Sequence, residues 1–558
     1  MCNGKRCHIK NIELVRLWGC EVRLKLGASM SSGNTSVLPF VPEHRASGIL
    51  LHVTSLPSPY GIGDLGPVAT SWLDRLAETG QTWWQSLPLG PTGYGNSPYQ
   101  PLSSFAGNAL LVSPEWLIED ELLGRSDCEH PPFSAAAVDY DAVVAFKHRL
   151  LEKAWDRFRA GARADLRAPY ENFCRAQDHW LQDYALFRAL KVKFGNGHYL
   201  TWPRELVRRE LPALERARSE VSDQIGQACF AQFLLFRQAD RLRARARQKG
   251  LTLMGDLPFF VSADSSDVWS NPELFLLDEQ RQPRFVAGVP PDYFSAQGQL
   301  WGNPVYNWDV LRQSGYGWWI ARLRSLLAHV DVIRLDHFRG FAAAWHVPAG
   351  APTAQTGSWV PGPGSEFLQA VEKELGRLPF VAEDLGLITQ DVCSLRDRFH
   401  LPGMRVLQFA FDGHADNPYL PENFVANTVV YTGTHDNPTT CSWFEDLPAG
   451  QREGIWNYLR ARGTKSTAIA QGLVELAWSS VAALAMTPLQ DILNLGKEAR
   501  MNVPGRAEGN WRWRSTEAML SDPRFEWLSE LTKNAKRSPF PATQKARMEE
   551  SLTSRRPA

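Results

Sequence analysis

Four carboxylates close short apolar runs in this 558-residue chain: Asp256 in MGDLP, Asp336 in IRLDHFRG, Glu383 in VAEDLG and Asp436 in YTGTHDNP. Singly, each is explained as well by a cap or an ion pair. Gathered at one end of one fold they would repel each other, and such a group persists only with cations beside it or with a protonated member. Arg334, His337 and Arg339 flank Asp336 in sequence, and His435 precedes Asp436. Side chains alternate along a strand, so Arg334 and Asp336 share a side, and the guanidinium would hold that carboxylate ionised, as a nucleophile requires. Carboxylates among aromatic residues point to a carbohydrate site, because sugars offer apolar ring faces to aromatics and hydroxyls to polar groups. The 21 Trp and 13 Tyr of the chain can supply that lining. A metal site is the competing reading, but no H-E-x-x-H, Asp-rich calcium loop or other compact ligand motif occurs.

The elements that must position these residues are short apolar runs alternating with helical patterns, as in parallel α/β architecture. Eight runs read as strands: 48–56, 82–89, 251–259, 330–338, 379–385, 405–411, 428–436 and 480–489. Eight is the number that closes a (β/α)8 barrel, and several runs end in charged or aromatic clusters, where such barrels place their chemistry. An open doubly wound sheet would concentrate these clusters at one switch point. Helical periodicity dominates about 107–245, for example Trp180, Leu181, Tyr184, Phe187 and Leu190, and reads as an insertion on the barrel. Residues 264–306, rich in Pro, Gly, Asn and aromatics, read as a lid loop over the barrel mouth. The expected organisation is an unstructured extension over 1–45, one catalytic barrel over 46–530, and a basic tail over 531–558.

Composition removes other classes. With 60 Lys+Arg against 60 Asp+Glu, the chain has no global field to gather nucleic acid or an anionic membrane. The longest weakly polar stretch, Trp478 to Met486, falls far short of the ~20 apolar residues that span a bilayer. Eight cysteines without a disulfide-framework spacing fit a reducing, cytoplasmic setting. Cys2, Cys7 and His8 lack the second ligand pair of a zinc clip. The basic, acid-poor first 30 residues have no secretory apolar core; a transit segment or a true start at Met30 are the two readings. Gly61-Ile62-Gly63-Asp64-Leu65-Gly66 fits the dinucleotide fingerprint, but Pro57–Tyr60 separates it from its strand, and the next strand ends without an acid to hold a ribose. It reads as a loop-to-helix turn.

The segments LLHVTSLPSPYGIGDLG, GNSPYQPLSSFAGN, GDLPFFVSADSSDVW, GVPPDYFSAQGQLWGNPVY, IRLDHFRGF, VAEDLG, PGMRVLQFAF, YTGTHDNPTT and ARMNVPGRAEGNWRWR closely resemble the amylomaltases, the 4-α-glucanotransferases or disproportionating enzymes. The resemblance runs over roughly residues 46 to 525. It implies a (β/α)8 barrel and a retaining transfer of α-1,4-glucan segments, with no metal or organic cofactor. The implied substrates are malto-oligosaccharides and glycogen- or starch-derived glucans. Asp336 in RLDHFRG matches the family's nucleophile, Glu383 in AEDLG its general acid/base, and Asp436 in THDN its third carboxylate. Asp256, Arg334, His337 and His435 would join Asp436 on the hydroxyls of the sugar at the cleavage point, with Tyr99 stacked beneath the ring. Trp301 in LWGNP resembles a residue covering the acceptor side, although simple packing of the loop explains it as well. Asn502 and the Gly505 turn resemble a second loop near the cleft. Pro438 departs from the family pattern and puts the shape of the loop beside Asp436 in question. A glucan hydrolase using the same carboxylates, and a non-catalytic glucan-binding barrel, are the alternatives; an intact nucleophile and acid/base pair argues against the second.

Overall fold

The computed structural model describes residues 44–291 and 296–538. The expectations for Cys2, Cys7, Cys20, Met30 and most of both terminal segments lie outside the described residues. In chain order the strands are β1 (Ala46–Leu50), β2 (Trp83–Gln85), β3 (Thr252–Leu257), β4 (Phe285–Val289), β5 (Gln299–Pro304), β6 (Val332–Leu335), β7 (Ala343–Pro348), β8 (Ser358–Pro361), β9 (Phe380–Ala382), β10 (Gly403–Val406), β11 (Thr428–Tyr431) and β12 (Leu484–Pro488). Eight of them close a barrel in the order β1-β12-β11-β10-β9-β6-β3-β2, every pair parallel, as a (β/α)8 barrel requires.

The eight apolar runs are these strands. They read as continuous runs because both faces are buried. Trp83, Met254, Val332, Val381, Met404, Val429, Tyr431, Leu484 and Met486 fill the barrel interior, while Ile49, Leu253, Ile333, Phe380, Val430 and Ala485 face the surrounding helices. Gly48 is required by this packing: a Cβ there would stand 2.4 Å from Trp83 Cβ and 2.9 Å from Met486 Sδ. Two residues above Met254 and Val332 on the same inward rows come Asp256 and Arg334, paired in register between β3 and β6. The polar site is therefore the layer directly above the apolar filling.

Between β2 and β3 the chain forms a group of helices that includes Tyr140–Arg159, Asp178–Lys193 and Ser222–Gln248. The last packs on the helix Pro67–Glu78 and returns the chain to β3. The segment read as a lid loop is more regular than expected. It carries β4 and β5, which join β7 and β8 in a four-stranded antiparallel sheet ordered β5-β4-β7-β8. Gly61–Gly66 forms a bent connection into the helix Pro67–Glu78, with Pro at the helix start. Packing explains Gly63, where a Cβ would lie 2.0 Å from the Val53 carbonyl oxygen.

The barrel closes where the first strand meets the last. Arg537, fully buried, donates to the carbonyls of Trp478 (2.8 Å), Ala46 (2.8 Å), Ala482 (2.9 Å) and Ser480 (2.9 Å), tying both sides of the β1–β12 seam. Burial, and then the nearby Arg45, push its guanidinium down to about 9.

Candidate active site

The centre of the site is an arginine shared by two carboxylates. Arg334 Nη1 donates to Asp256 Oδ1 and Oδ2 at 2.9 and 2.8 Å and to Asp336 Oδ1 at 3.0 Å. The Asp256 side chain is wholly buried, whereas that of Asp336 is 27% exposed toward the mouth. Tyr99 donates its hydroxyl to Asp256 Oδ2 at 2.9 Å. Asp256 therefore anchors both Arg334 and Tyr99, and Arg334 presents Asp336.

Glu383 follows β9 as Asp336 follows β6, and Leu335 pairs with Ala382 in register, so the two acids are neighbours across adjacent strand ends. Neighbouring strands lie about 4.8 Å apart. Both oxygens of Glu383 are held by the backbone: Oε2 accepts from His337 N at 2.8 Å and Oε1 from Leu385 N at 2.9 Å. His337 can aim its N–H this way because it lies in the left-handed region, at φ 48° and ψ 48°. That conformation is uncommon for a residue with a side chain and is held here against a cost of order 1 kcal/mol. Next to Glu383, the buried Asp384 accepts from Met404 N at 2.7 Å and pairs with Arg396, which fixes the strand end.

Asp436 stands on the opposite rim, half exposed. Asn502 Nδ2 donates to its Oδ1 at 2.6 Å, and Arg500 donates to its carbonyl at 3.1 Å. His435 Nε2 lies 3.5 Å from Asp436 Oδ2, and its ring stacks on Tyr99 at 5.0 Å between centroids. Trp511 completes this aromatic wall, 5.8 Å from Tyr99 and 5.9 Å from His435. The loop containing Pro438 is closed by Asn437 Oδ1, which accepts from Thr434 N and Oγ1, and by Gln408 Nε2, which donates to the Pro438 carbonyl. Trp301, on β5 and part-buried, stands edge-on to His337 at 4.9 Å, so the small antiparallel sheet reaches the site through it. Among the described residues no group of three or more His, Cys, Asp or Glu side chains could hold a metal ion.

The family model for 4-alpha-glucanotransferase matches residues 51–519. The chain belongs to the 4-alpha-glucanotransferase family. It is 48% identical over 491 residues to a 4-alpha-glucanotransferase of Synechocystis, covering 87% of this chain and 96% of that one. It is 47% identical over 482 residues to that of Thermus thermophilus, covering 86% and 96%. The fold matches that of an amylomaltase from Streptococcus agalactiae solved with acarbose, with a TM-score of 0.86 at 38% identity, covering 89% of this chain and all of that one. The enzyme is a 4-α-glucanotransferase, and the hydrolase alternative is set aside.

Burial dominates the electrostatics of this family member's cleft. It raises Asp336 to about 8, outweighing the opposing charge of Arg334 and with further upward pressure from Asp256, Glu383 and Asp436, so Arg334 does not by itself keep Asp336 ionised, contrary to what the strand alternation predicts. It raises Glu383 as well, against Arg334 and the two backbone donors. Asp336 and Glu383 form a pair, and their protons belong to the pair. Burial also pushes His337 down to about 3 and lowers His435, so both rings are neutral at pH 7. Buried His337 Nε2 has no hydrogen-bond partner among the described residues.

If the pair must carry one proton to react, kcat/KM is expected to be bell-shaped. Activity falls on the acid side as a second proton neutralises the nucleophile, and on the alkaline side, near pH 8, as the last proton leaves. A profile flat from pH 5 to 10 would contradict this pairing.

The structure brings together all ten residues singled out in the sequence. Sequence reasoning missed Trp511, Arg500 and His52; His52 Nδ1 lies 3.1 Å from Ser86 Oγ beneath the aromatic wall, and burial and then His435 lower it to about 3. The alternating WRWR of residues 511–514 was the available signal for Trp511.

Proposed function

We propose that Asp336 is the nucleophile and Glu383 the general acid/base of a double displacement on α-1,4-glucans. The observation that carries this reading is the register of β6 and β9, which sets the two acids side by side, one held by Arg334 and the other by two backbone N–H groups. Asp336 Oδ attacks the anomeric carbon while Glu383 gives its proton to the departing glycosidic oxygen, leaving a covalent glycosyl-enzyme and a shortened chain. Glu383, now ionised, takes the proton of an incoming 4-hydroxyl, and that oxygen displaces Asp336. Two inversions give net retention, and the spacing of such a pair is about 5 to 5.5 Å.

Asp436 and Asn502 hold sugar hydroxyls from one rim, His435 and His337 serve as neutral hydrogen-bonding groups, and Tyr99 with Trp511 supports the ring face. Trp301 covers the acceptor side, where exclusion of water favours a sugar hydroxyl as acceptor. The substrates are malto-oligosaccharides and the outer chains of glycogen or starch. The protein works in the cytoplasm; among the described residues no helix is long and apolar enough to cross a membrane.

Incubation with maltotriose alone, without metal or nucleotide, is expected to yield glucose together with chains longer than maltotriose, resolved by chromatography over time. Glucose and maltose with no longer chains would refute the transfer reading.

A further inference from the structure

Beneath the rim that carries Asp436, one buried carboxylate holds both ends of a loop. Asp491 lies on the short helix Leu489–Ile492 that follows β12, and it is 1% exposed. Its Oδ2 accepts from the hydroxyls of Thr432 at 2.6 Å and Thr440 at 2.7 Å, and its Oδ1 accepts from Thr440 N at 2.9 Å. Thr432 is the first residue after β11, Thr440 opens the helix Thr440–Glu445, and both are fully buried. Residues 433–439, which run between them, include His435 and Asp436.

Further contacts complete this base. The Thr432 hydroxyl meets that of Thr487 on β12 at 2.9 Å, and Gln408 Nε2 donates to Thr440 Oγ1 at 3.3 Å as well as to the Pro438 carbonyl at 3.1 Å. The chain that follows β12 also reaches the tip of the loop, since Arg500 and Asn502 are the groups bonded to Asp436. Asp491 is thus the lower of two holds that this segment places on one loop. Packing alone does not set the height of that loop. A cavity of about 30 Å³ lies against it, lined by Leu51, His52, His435, Asn437, Asp491 and Arg500. Groups that face a void lack the contacts that fix a close-packed side chain, so on this side the hydrogen bonds at the base decide where the loop sits. Burying a carboxylate is costly without such bonds, and burial pushes the Asp491 carboxyl up against the pull of Thr432 and Thr440.

We propose that Asp491 is a positioning residue for the transfer reaction: by gripping Thr432 and Thr440 it sets Asp436 and His435 at the height the sugar ring requires. The inference rests on the reading of Asp436 as a carboxylate that holds sugar hydroxyls. Asp491 is too deeply buried to touch a glucan, so it acts through the loop. Without the grip the ends of the loop shift relative to β12, and a misplacement of about 1 Å at a reacting centre costs on the order of 10²-fold in rate.

The test is a double-mutant cycle on glucose release from maltotriose, made in the full chain with Asp491→Ala, Asp436→Asn and the two combined. Asp491→Ala is expected to lower kcat about 30-fold while KM changes less than about threefold, because contacts that strengthen in the transition state act on kcat. In the Asp436→Asn background the same change is expected to cost less than about threefold, since only what acts through His435 is left to lose. Circular dichroism and the urea midpoint show whether each variant is folded. If Asp491→Ala does not fold, Thr440→Val takes its place in the cycle; it removes one hydroxyl from the grip, keeps the Thr440 N–H bond, and is expected to lower kcat about fivefold, again only where Asp436 is present. Wild-type kcat in Asp491→Ala, a loss confined to KM, or an equal loss in both backgrounds, as a purely structural role would give, would overturn the proposal. Unchanged turnover in Asp436→Asn alone would instead overturn the reading of Asp436, and the proposal with it.

Discussion

Asp336→Asn and Glu383→Gln are each expected to lower transfer from maltotriose on the order of 10⁴-fold, with glucan binding retained. The two losses should differ in kind. With an α-glucosyl fluoride donor, whose leaving group needs no proton, Glu383→Gln should still form the covalent intermediate, visible as a mass increase of the protein, while Asp336→Asn should not. Equal labelling of both variants, or of neither, would undo the assignment. Stability provides a second readout. A part-buried acid whose pKa is raised takes up protons in the folded state that the unfolded chain lacks, so it lowers stability as pH rises from the ordinary carboxylate range toward 8. Asp336→Asn removes that cost and should raise the melting temperature at pH 8 more than at pH 4. A catalytic carboxylate that weakens the fold in this way is the usual trade between stability and activity.

Arg334→Met is expected to cost about 3–5 kcal/mol at pH 7, because it leaves Asp256 charged and buried with no cation and only Tyr99 as side-chain partner. Activity should fall with it, since Asp336 loses the charge that opposes its protonation. The urea midpoint measures the loss. Arg334→Met combined with Asp256→Asn should recover most of the stability, since the uncompensated charge is gone, but little activity. A double variant as unstable as the single one would mean that Arg334 acts chiefly by packing.

The barrel was legible because its strands are buried on both faces, so each appears as an apolar run, and because Asp256, Arg334 and Asp336 follow strict alternation onto one inward row. The runs overshoot at their C-terminal ends, since the loops of the mouth are themselves apolar; Leu407–Phe409, for instance, continues β10 as a 3-10 turn. The small sheet was not legible. β5 and β8 are largely exposed, each ends in Pro, and neither shows a clean period of two. Trp511 escaped because its place beside Tyr99 depends on a backbone at φ 62°, which composition does not announce. The left-handed turn at His337 that positions Glu383 is equally a product of the assembled barrel.

The seam held by Arg537 has a consequence for synthesis. About 430 residues separate the end of β1 from the start of β12, so β1 leaves the ribosome long before its second neighbour exists. At elongation rates of about 5–20 residues per second, one edge of β1 waits roughly 20–90 s with its amides and carbonyls unpaired. An open strand edge invites pairing with other chains. The nascent enzyme is thus most vulnerable to aggregation before Arg537 emerges, and truncation ahead of that residue leaves the barrel without its latch.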